Sequence, residues 1–206
     1  MAYLKEAFNP ASLEQAKEIC LTPDPRVPQK FTKETLFTLD FLMKEGLVNN
    51  SSRVADFGCG VGRMSRAIIQ RLGCRVTGFD ISEAMLKWAG EHVLSRIFTP
   101  LLYRKGFKAE EGMRFDLVLS LFVLQHSEHP LDDIEFMHSI LDPGGRLVLM
   151  NEKKRLVPTG IDSRGGAVWS DDGVSIEDEV EKRFRLVSRH DYINRYDKLL
   201  TVWEKR

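Results

Sequence analysis

Cysteine is scarce in this chain. Only Cys20, Cys59 and Cys74 occur among 206 residues. The number is odd, no Cys-x-x-Cys pair occurs and no Cys/His cluster forms, which excludes a disulfide framework and a zinc site. The expectation is reduced thiols, no metal and a cytoplasmic setting. Long apolar runs are also missing, and none approaches the ~20 residues of a membrane span. The opening stretch MAYLKEAFNPASLEQAK has no long apolar core and carries Glu6 and Glu14, so no signal peptide is expected. Nor is there an excess of either charge. Lys+Arg and Asp+Glu are both 30, for a formal net charge of zero. Proteins held by phosphate contacts are usually basic, so the composition speaks against a nucleic-acid partner. No internal repeat or low-complexity tract stands out.

What is present is a regular alternation of strand-like and helix-like segments, the pattern of an α/β fold with a mostly parallel sheet. The length suits one domain over residues 1–206. Thr32 can cap a helix bearing Leu36, Leu39 and Met43, ended by Gly46. Before it, TPDPRVPQKF carries three prolines and is expected to be an extended arm. RVADF reads as a buried strand. Val61, Met64, Ile68 and Leu72 recur at helical spacing, with Gly73 as a stop. RVTGFD is a second strand, and Ser82 can cap the helix of Met85, Leu86, Ala89 and Val93. PLLYR is a weaker third strand. FDLVLSLF is a fourth, apolar enough to be covered on both faces. Pro130 fits the first turn of a helix bearing Leu131, Ile134, Met137 and Leu141. DPGG makes a turn into RLVLM, the fifth strand. Residues 152–174 are polar and Gly-rich with no clear period. SIEDEVEKRF reads as a charged helix with i,i+4 pairs Asp178–Lys182 and Glu179–Arg183. RLVSRHDYINR and LLTVWEK read as an antiparallel pair joined around Tyr196 and Asp197.

The chemistry-bearing stretch is VADFGCGVGRMS, Val54 to Ser65. Gly58, Gly60 and Gly62 stand between a strand and a helix, where positive φ and missing side chains leave room for a ligand beside a helix N-terminus. About twenty residues on, the second strand ends in Asp80, a carboxylate placed to accept the two hydroxyls of a ribose. The pair points to an adenosine-type ligand. The dinucleotide spacing G-x-G-x-x-G would need glycine at Arg63. No tyrosine has lysine four residues on, as a short-chain dehydrogenase needs, and no G-x-x-x-x-G-K-[ST] P-loop occurs.

These segments together resemble the class I S-adenosylmethionine-dependent methyltransferase family, over residues 50–151 and in the pattern of the closing strand pair. VADFGCGVGR resembles the family's first motif, with Asp56 as the acid two residues before the glycines. GFDIS resembles the second, with Asp80 for the ribose and Ile81 beside the adenine. FDLVLSLFVLQH resembles the fourth-strand motif at the methionine part of the cofactor, which includes Ser120. LDPGGRLVLM resembles the loop and fifth strand. The resemblance implies a Rossmann-like fold with a seven-stranded, mostly parallel sheet and a C-terminal antiparallel pair. It further implies a helical arm over 1–50 on the substrate side and S-adenosylmethionine as cofactor. It departs after the third strand, where YRKGFKAEEG lacks an acid at the usual adenine position. Glu110 or Glu111 could reach the adenine amine, and Phe107 could stack on the ring.

The implied reaction is methyl transfer to an oxygen or nitrogen of a small-molecule acceptor, such as a sugar-like or other polar metabolite. His126 follows the fourth strand, where its ordinary pKa suits a general base for a hydroxyl; the alternative is that it only shapes the site. Gln125 beside it would orient the ring or the substrate. His129 is expected to help start a helix. Asn/Asp-Pro-Pro-Tyr is absent where SLFV stands, which disfavours flipped-base methylation. Phe31, Arg155, Arg164 and Trp169 lie on irregular segments and are candidate acceptor contacts. Three other readings stay open: a cofactor-binding partner subunit or sensor without catalysis, a protein methyltransferase using the acidic stretch Asp171–Glu181, and a nucleotide-dependent dehydrogenase.

Overall fold

Apolar runs of period two and longer runs of period 3.6 alternate along the chain, and in a computed structural model they become alternating strands and helices. Residues 3–20, 30–152, 154–191 and 198–206 are described, those at 30, 31, 191, 198 and 199 by backbone alone. The helices are α1 (Leu13–Cys20), α2 (Lys30–Lys44), α3 (Arg63–Leu72), α4 (Glu83–Val93), α5 (Pro130–Ile140) and α6 (Ile176–Glu181). The strands are β1 (Arg53–Phe57), β2 (Arg75–Asp80), β3 (Phe98–Leu102), β4 (Phe115–Leu121) and β5 (Leu141–Glu152). They are followed by β6 (Val157–Ile161), β7 (Ala167–Ser170), β8 (Phe184–Asp191) and β9 (Lys198–Lys205). Seven strands form one sheet in the order β3-β2-β1-β4-β5-β9-β8, and β6 with β7 forms a separate two-stranded sheet.

The described chain falls into two compact units: Phe8–Arg104, and Met1–Ala7 with Lys105–Arg206. In the first, β1, β2 and β3 pair in parallel, Asp56 opposite Gly78 and Asp80 opposite Leu102. Gly73 ends α3 in the left-handed region, its N–H donating to the Ile69 carbonyl. Ser82 caps α4 by accepting the Met85 N–H at 3.1 Å. Gly46 closes α2 at φ 65°. Its N–H donates to the Met43 carbonyl, and the Leu47 N–H donates to that of Leu42, the paired bonds of a glycine-ended helix.

In the second unit, β4 and β5 pair in parallel, while β9 runs antiparallel to both β5 and β8. Leu117, Val118 and Leu119 are fully buried, so β4 is covered on both faces, as its apolar run predicts. Pro130 occupies the first turn of α5.

Several local expectations need correction. Helix α2 starts at Lys30, not after Thr32. Most of the expected extended arm lies outside the described residues, as does the turn around Tyr196 and Asp197. Strand β3 begins two residues before PLLYR, at Phe98. Leu141 belongs to β5, not α5. The DPGG turn is a bulge within β5: Phe115 pairs with Leu141 but Leu117 with Arg146. Residues 152–174 contain the β6–β7 hairpin, which their polarity hid. Helix α6 ends at Glu181, so the expected i,i+4 pairs fall off its end. Lys182 instead meets Glu179 at 2.6 Å, and Arg183 meets Glu135 of α5 at 2.5 Å.

Candidate active site

In the unit Phe8–Arg104, the loop after β1 carries Gly58, Gly60 and Gly62 at φ 73°, 52° and 72°. All three lie in the region that favours glycine. What excludes side chains at two of them is protein. A Cβ on Gly60 would run into the Cys20 Sγ at the end of α1, and one on Gly62 would run into Val93 of α4. At Gly60 and Gly62, expected to take positive φ and leave room for a ligand, the atoms nearest an added Cβ belong to the chain itself. The loop is also tied to β2. The Gly58 and Cys59 N–H groups donate to the Phe79 carbonyl at 2.7 and 2.9 Å.

Asp80 ends β2, half-buried. Its Oδ2 accepts the Gly60 N–H and its Oδ1 the Ser82 N–H, both at 2.9 Å. Burial raises its pKa to about 6, against the lowering effect of those amides. Each carboxylate oxygen keeps a second acceptor direction. Ile81 beside it is 47% exposed, an uncovered apolar side chain. Asp56 is buried, and its Oδ2 accepts the Ser65 hydroxyl at 2.6 Å and the Ser65 N–H at 3.2 Å. This bond braces β1 against the first turn of α3. Burial also raises the Asp56 pKa. The Cys20 thiol is pushed up to about 11 by burial, and burial raises Cys59 as well. Both are therefore thiols at neutral pH.

These residues fit an adenosyl sulfonium. The Asp80 carboxylate can take donated ribose hydroxyls, Ile81 offers an apolar surface to the adenine, and two carboxylates at one loop favour a cation. Phe107 belongs to the other unit, where its ring packs edge-to-face on Phe136 of α5 at 5.5 Å. Glu110 and Glu111 are exposed, and the Glu110 carbonyl accepts the Met113 N–H of a turn.

In the unit Lys105–Arg206, β4 runs into a turn bearing Gln125 and His126. The Glu152 N–H donates to Gln125 Oε1 at 2.6 Å. That fixes the amide, so its nitrogen faces His126 Nε2 at 3.1 Å as a donor. Nε2 is then the acceptor, and the proton sits on Nδ1, which donates to the Leu156 carbonyl at 2.7 Å. Burial lowers the His126 pKa, keeping the ring neutral near pH 7. Its neutral lone pair is thus engaged by Gln125, the neighbour expected to orient the ring or the substrate. The ring lies against Trp169 of β7, centroids 5.1 Å apart. Trp169 is 43% exposed.

Arg155, expected to contact an acceptor, is instead 2% exposed. Its guanidinium donates to the Leu124 and Ser127 carbonyls on either side of His126 and to the Asp172 carboxylate. The side chain clamps the His126 turn. Its cation holds the Asp172 pKa below the usual carboxylate range. Arg164 stands at the tip of the β6–β7 hairpin, its side chain 90% exposed and 3.8 Å from Asp162. The side chain of Phe31 lies outside the described residues. His129 sits at the N-terminal boundary of α5 without a side-chain cap bond. Ser120 is fully buried on β4. Sequence reasoning missed Cys20, Asp172 and Asn151. Only their distant partners give them meaning, and no local spacing marks them. Among the described residues, no helix is long and apolar enough to cross a membrane, and no group of three metal-ligating side chains occurs.

Comparison with known proteins agrees with this geometry. The methyltransferase-domain family model matches residues 27–196. The ubiquinone biosynthesis O-methyltransferase of Leptothrix cholodnii is 34% identical over 101 residues, 47% of this chain and 43% of that protein. The enzyme of the same description from Stutzerimonas stutzeri is 36% identical over 98 residues, 46% of this chain and 42% of that one. The match thus spans less than half the length of these curated relatives. Among solved structures, the PH0226 protein from Pyrococcus horikoshii superposes with a TM-score of 0.70 at 20% identity, covering 86% of this chain and 92% of that one. The N-methyltransferase NodS from Bradyrhizobium japonicum, in complex with S-adenosyl-l-homocysteine, gives 0.64 at 19% identity over 94% of this chain and 98% of that one. At such identities these two structures speak to the fold alone. The chain belongs to the methyltransferase-domain family, and within it to the class I S-adenosylmethionine-dependent methyltransferases.

Proposed function

We propose that this chain transfers a methyl group from S-adenosylmethionine to an oxygen of a small-molecule acceptor. The cofactor half of the reading is carried by Asp80, a half-buried carboxylate with a raised pKa at the end of β2, with an exposed Ile81 beside it. The oxygen acceptor is supported by the relatives in the preceding section, which are named O-methyltransferases. When bound, the cofactor supplies an electrophilic methyl on a sulfonium. The chain's own work is to hold the acceptor, and positioning alone can lower a barrier by roughly 7–11 kcal/mol. Asp80 and Ile81 hold the adenosine end. Asp56 keeps the glycine loop and the start of α3 in register. Trp169 offers the acceptor a flat apolar surface that suits a ring, whether the C–H face of a sugar or an aromatic system. His126 orients that surface, and the proton of the acceptor hydroxyl passes to solvent.

The test is transfer of labelled methyl from the cofactor to a panel of hydroxylated rings and sugars, with products identified by mass spectrometry. Trp169→Ala should raise the acceptor KM and leave S-adenosylhomocysteine affinity unchanged. Label appearing only on amines would replace oxygen by nitrogen as the acceptor atom. No transfer to any acceptor, with cofactor bound, would favour a non-catalytic binding subunit.

A further inference from the structure

Three observations of different kinds meet at the carboxyl ends of β4 and β5. Ser120 is fully buried, and its Oγ has no hydrogen-bond partner. Asn151 Oδ1 is buried and likewise without a partner. Phe122, the residue after β4, sits at φ 61°, a conformation that non-glycine residues rarely adopt. Its N–H is held by the Met150 carbonyl at 2.5 Å. The register brings the first two together. Ser120 pairs with Leu149, and side chains two apart on a strand share a face. Asn151 is therefore the diagonal neighbour of Ser120 on the same side of the sheet. Among the described residues only Glu34 on α2 offers another such atom.

A buried polar atom without a partner costs roughly 1–3 kcal/mol, and a native protein that keeps two as diagonal neighbours on one sheet face holds them for something. Strained backbone also gathers where ligands are held. The chemistry of the pair limits the guest. A serine hydroxyl gives one hydrogen and accepts others, while a side-chain amide presents an acceptor or a donor according to its flip. One uncharged hydroxyl satisfies both partners in either case. With Oδ1 inward, it donates to Asn151 and accepts from Ser120. With the amide turned, it accepts from Nδ2 and donates to Ser120. A carboxylate has no hydrogen to give, and an ammonium would bring a buried charge that neither residue neutralises.

We propose that Ser120 and Asn151 form a subsite for an uncharged hydroxyl of the acceptor. This rests on the methyl-acceptor reading above. It also reassigns Ser120, which sequence resemblance gave to the cofactor. The cofactor's only hydroxyls are those of its ribose, and Asp80 is built for them. Its amino-acid end carries charged groups, which this neutral pair does not suit.

Phenol is the probe. It carries one neutral hydroxyl on a small ring. The chain is saturated with S-adenosylhomocysteine, phenol is titrated by protein-observed NMR, and crystals of the same complex are soaked with phenol. The expected result is a phenol oxygen bridging Ser120 Oγ and the Asn151 amide. Ser120→Ala and Asn151→Leu should each weaken phenol by up to about tenfold, the scale of one neutral hydrogen bond. Both should leave S-adenosylhomocysteine affinity unchanged by calorimetry. Their ligand-free melting temperatures should match or exceed the parent's, because each removes an unsatisfied group. The proposal is overturned if an ordered water bridges the pair and stays there in the phenol-soaked crystal. It is equally overturned if either variant loses S-adenosylhomocysteine binding, or if both melt lower with phenol binding untouched. A chain that seats phenol yet methylates nothing loses the methyl-transfer reading and keeps the hydroxyl subsite.

Discussion

Asp80 accepts two backbone amides of its own chain and, on the reading above, a ribose diol as well. Charge-assisted hydrogen bonds are worth roughly 1.5–3 kcal/mol each. Asp80→Asn should therefore weaken S-adenosylhomocysteine by about tenfold or more in calorimetry, with the fold intact by circular dichroism. The raised pKa of about 6 adds a pH signature. Only the carboxylate accepts from both hydroxyls, so affinity should fall as the pH drops through about 6, and the asparagine variant should lose that dependence. For the ligand-free protein the sign reverses. A carboxyl raised in the native state binds more protons than in the unfolded chain. Stability from this group is therefore present at low pH and lost as the pH rises from about 4 through 6. Melting curves of parent and Asp80→Asn across that window measure the difference. At His126, both ring nitrogens already have partners within the chain. His126→Ala should slow single-turnover methyl transfer by less than about tenfold, against the roughly 10²–10⁴ lost with a general base. A larger fall, with a rate that rises through the imidazole pKa, would return the proton transfer to this residue.

Helix α1 and the glycine loop are fitted to one another through Cys20 and Gly60. Gly60→Ala meets two penalties, a positive φ and a clash with the Cys20 sulfur. Off-region backbone alone costs about 1–3 kcal/mol. Urea denaturation of Gly60→Ala should show at least that loss. Adding Cys20→Ala should recover the steric part and leave the backbone part. The hairpin and the His126 turn are joined by Arg155. Arg155→Met leaves the Leu124 and Ser127 carbonyls to find new donors, at roughly 1–3 kcal/mol each if they find none. The expected outcome is a lower denaturation midpoint and a mobile His126 ring in NMR. These two elements also mark where the sequence could be read. The strand–glycine–helix unit was legible because its signals are local: an apolar run, three glycines, then a helical period. The role of Gly60 was not, because its neighbour Cys20 lies forty positions away. The β6–β7 hairpin was hidden by Pro158 and Gly160 inside its first strand, residues that normally argue against one. Arg155 read as an acceptor contact because its three partners, Leu124, Ser127 and Asp172, lie in a turn and a loop distant in sequence. The charged pairs of α6 failed because the helix ends one turn earlier than its composition suggests.

Across the whole molecule, a mostly parallel sheet could be inferred from the alternation of strand and helix, since parallel strands need helical crossovers, whereas the seven strands were implied only by the family resemblance. The acceptor residues could not be inferred, because they sit on segments without a period. Those segments divide sharply in what they hold. The His126 turn, Arg155 and Asp172 are knit by hydrogen bonds of the buried guanidinium, whereas the hairpin tip beyond them is largely exposed. There the Asp162 side chain closes the turn by accepting the Arg164 and Gly166 N–H groups, both at 2.8 Å. Besides that carboxylate the tip is held by its own backbone, the Asp162 N–H donating to the Gly166 carbonyl at 2.7 Å and the Gly165 N–H to the Asp162 carbonyl at 3.0 Å. It is consequently a place where chain can be added cheaply, since the entropy of a longer loop grows only slowly with length. A short epitope inserted after Arg164 should leave S-adenosylhomocysteine affinity and melting temperature as they were, measured by calorimetry and thermal shift. The same tip would then serve as a handle, through which the protein can be tethered to a surface while its cofactor loop stays untouched.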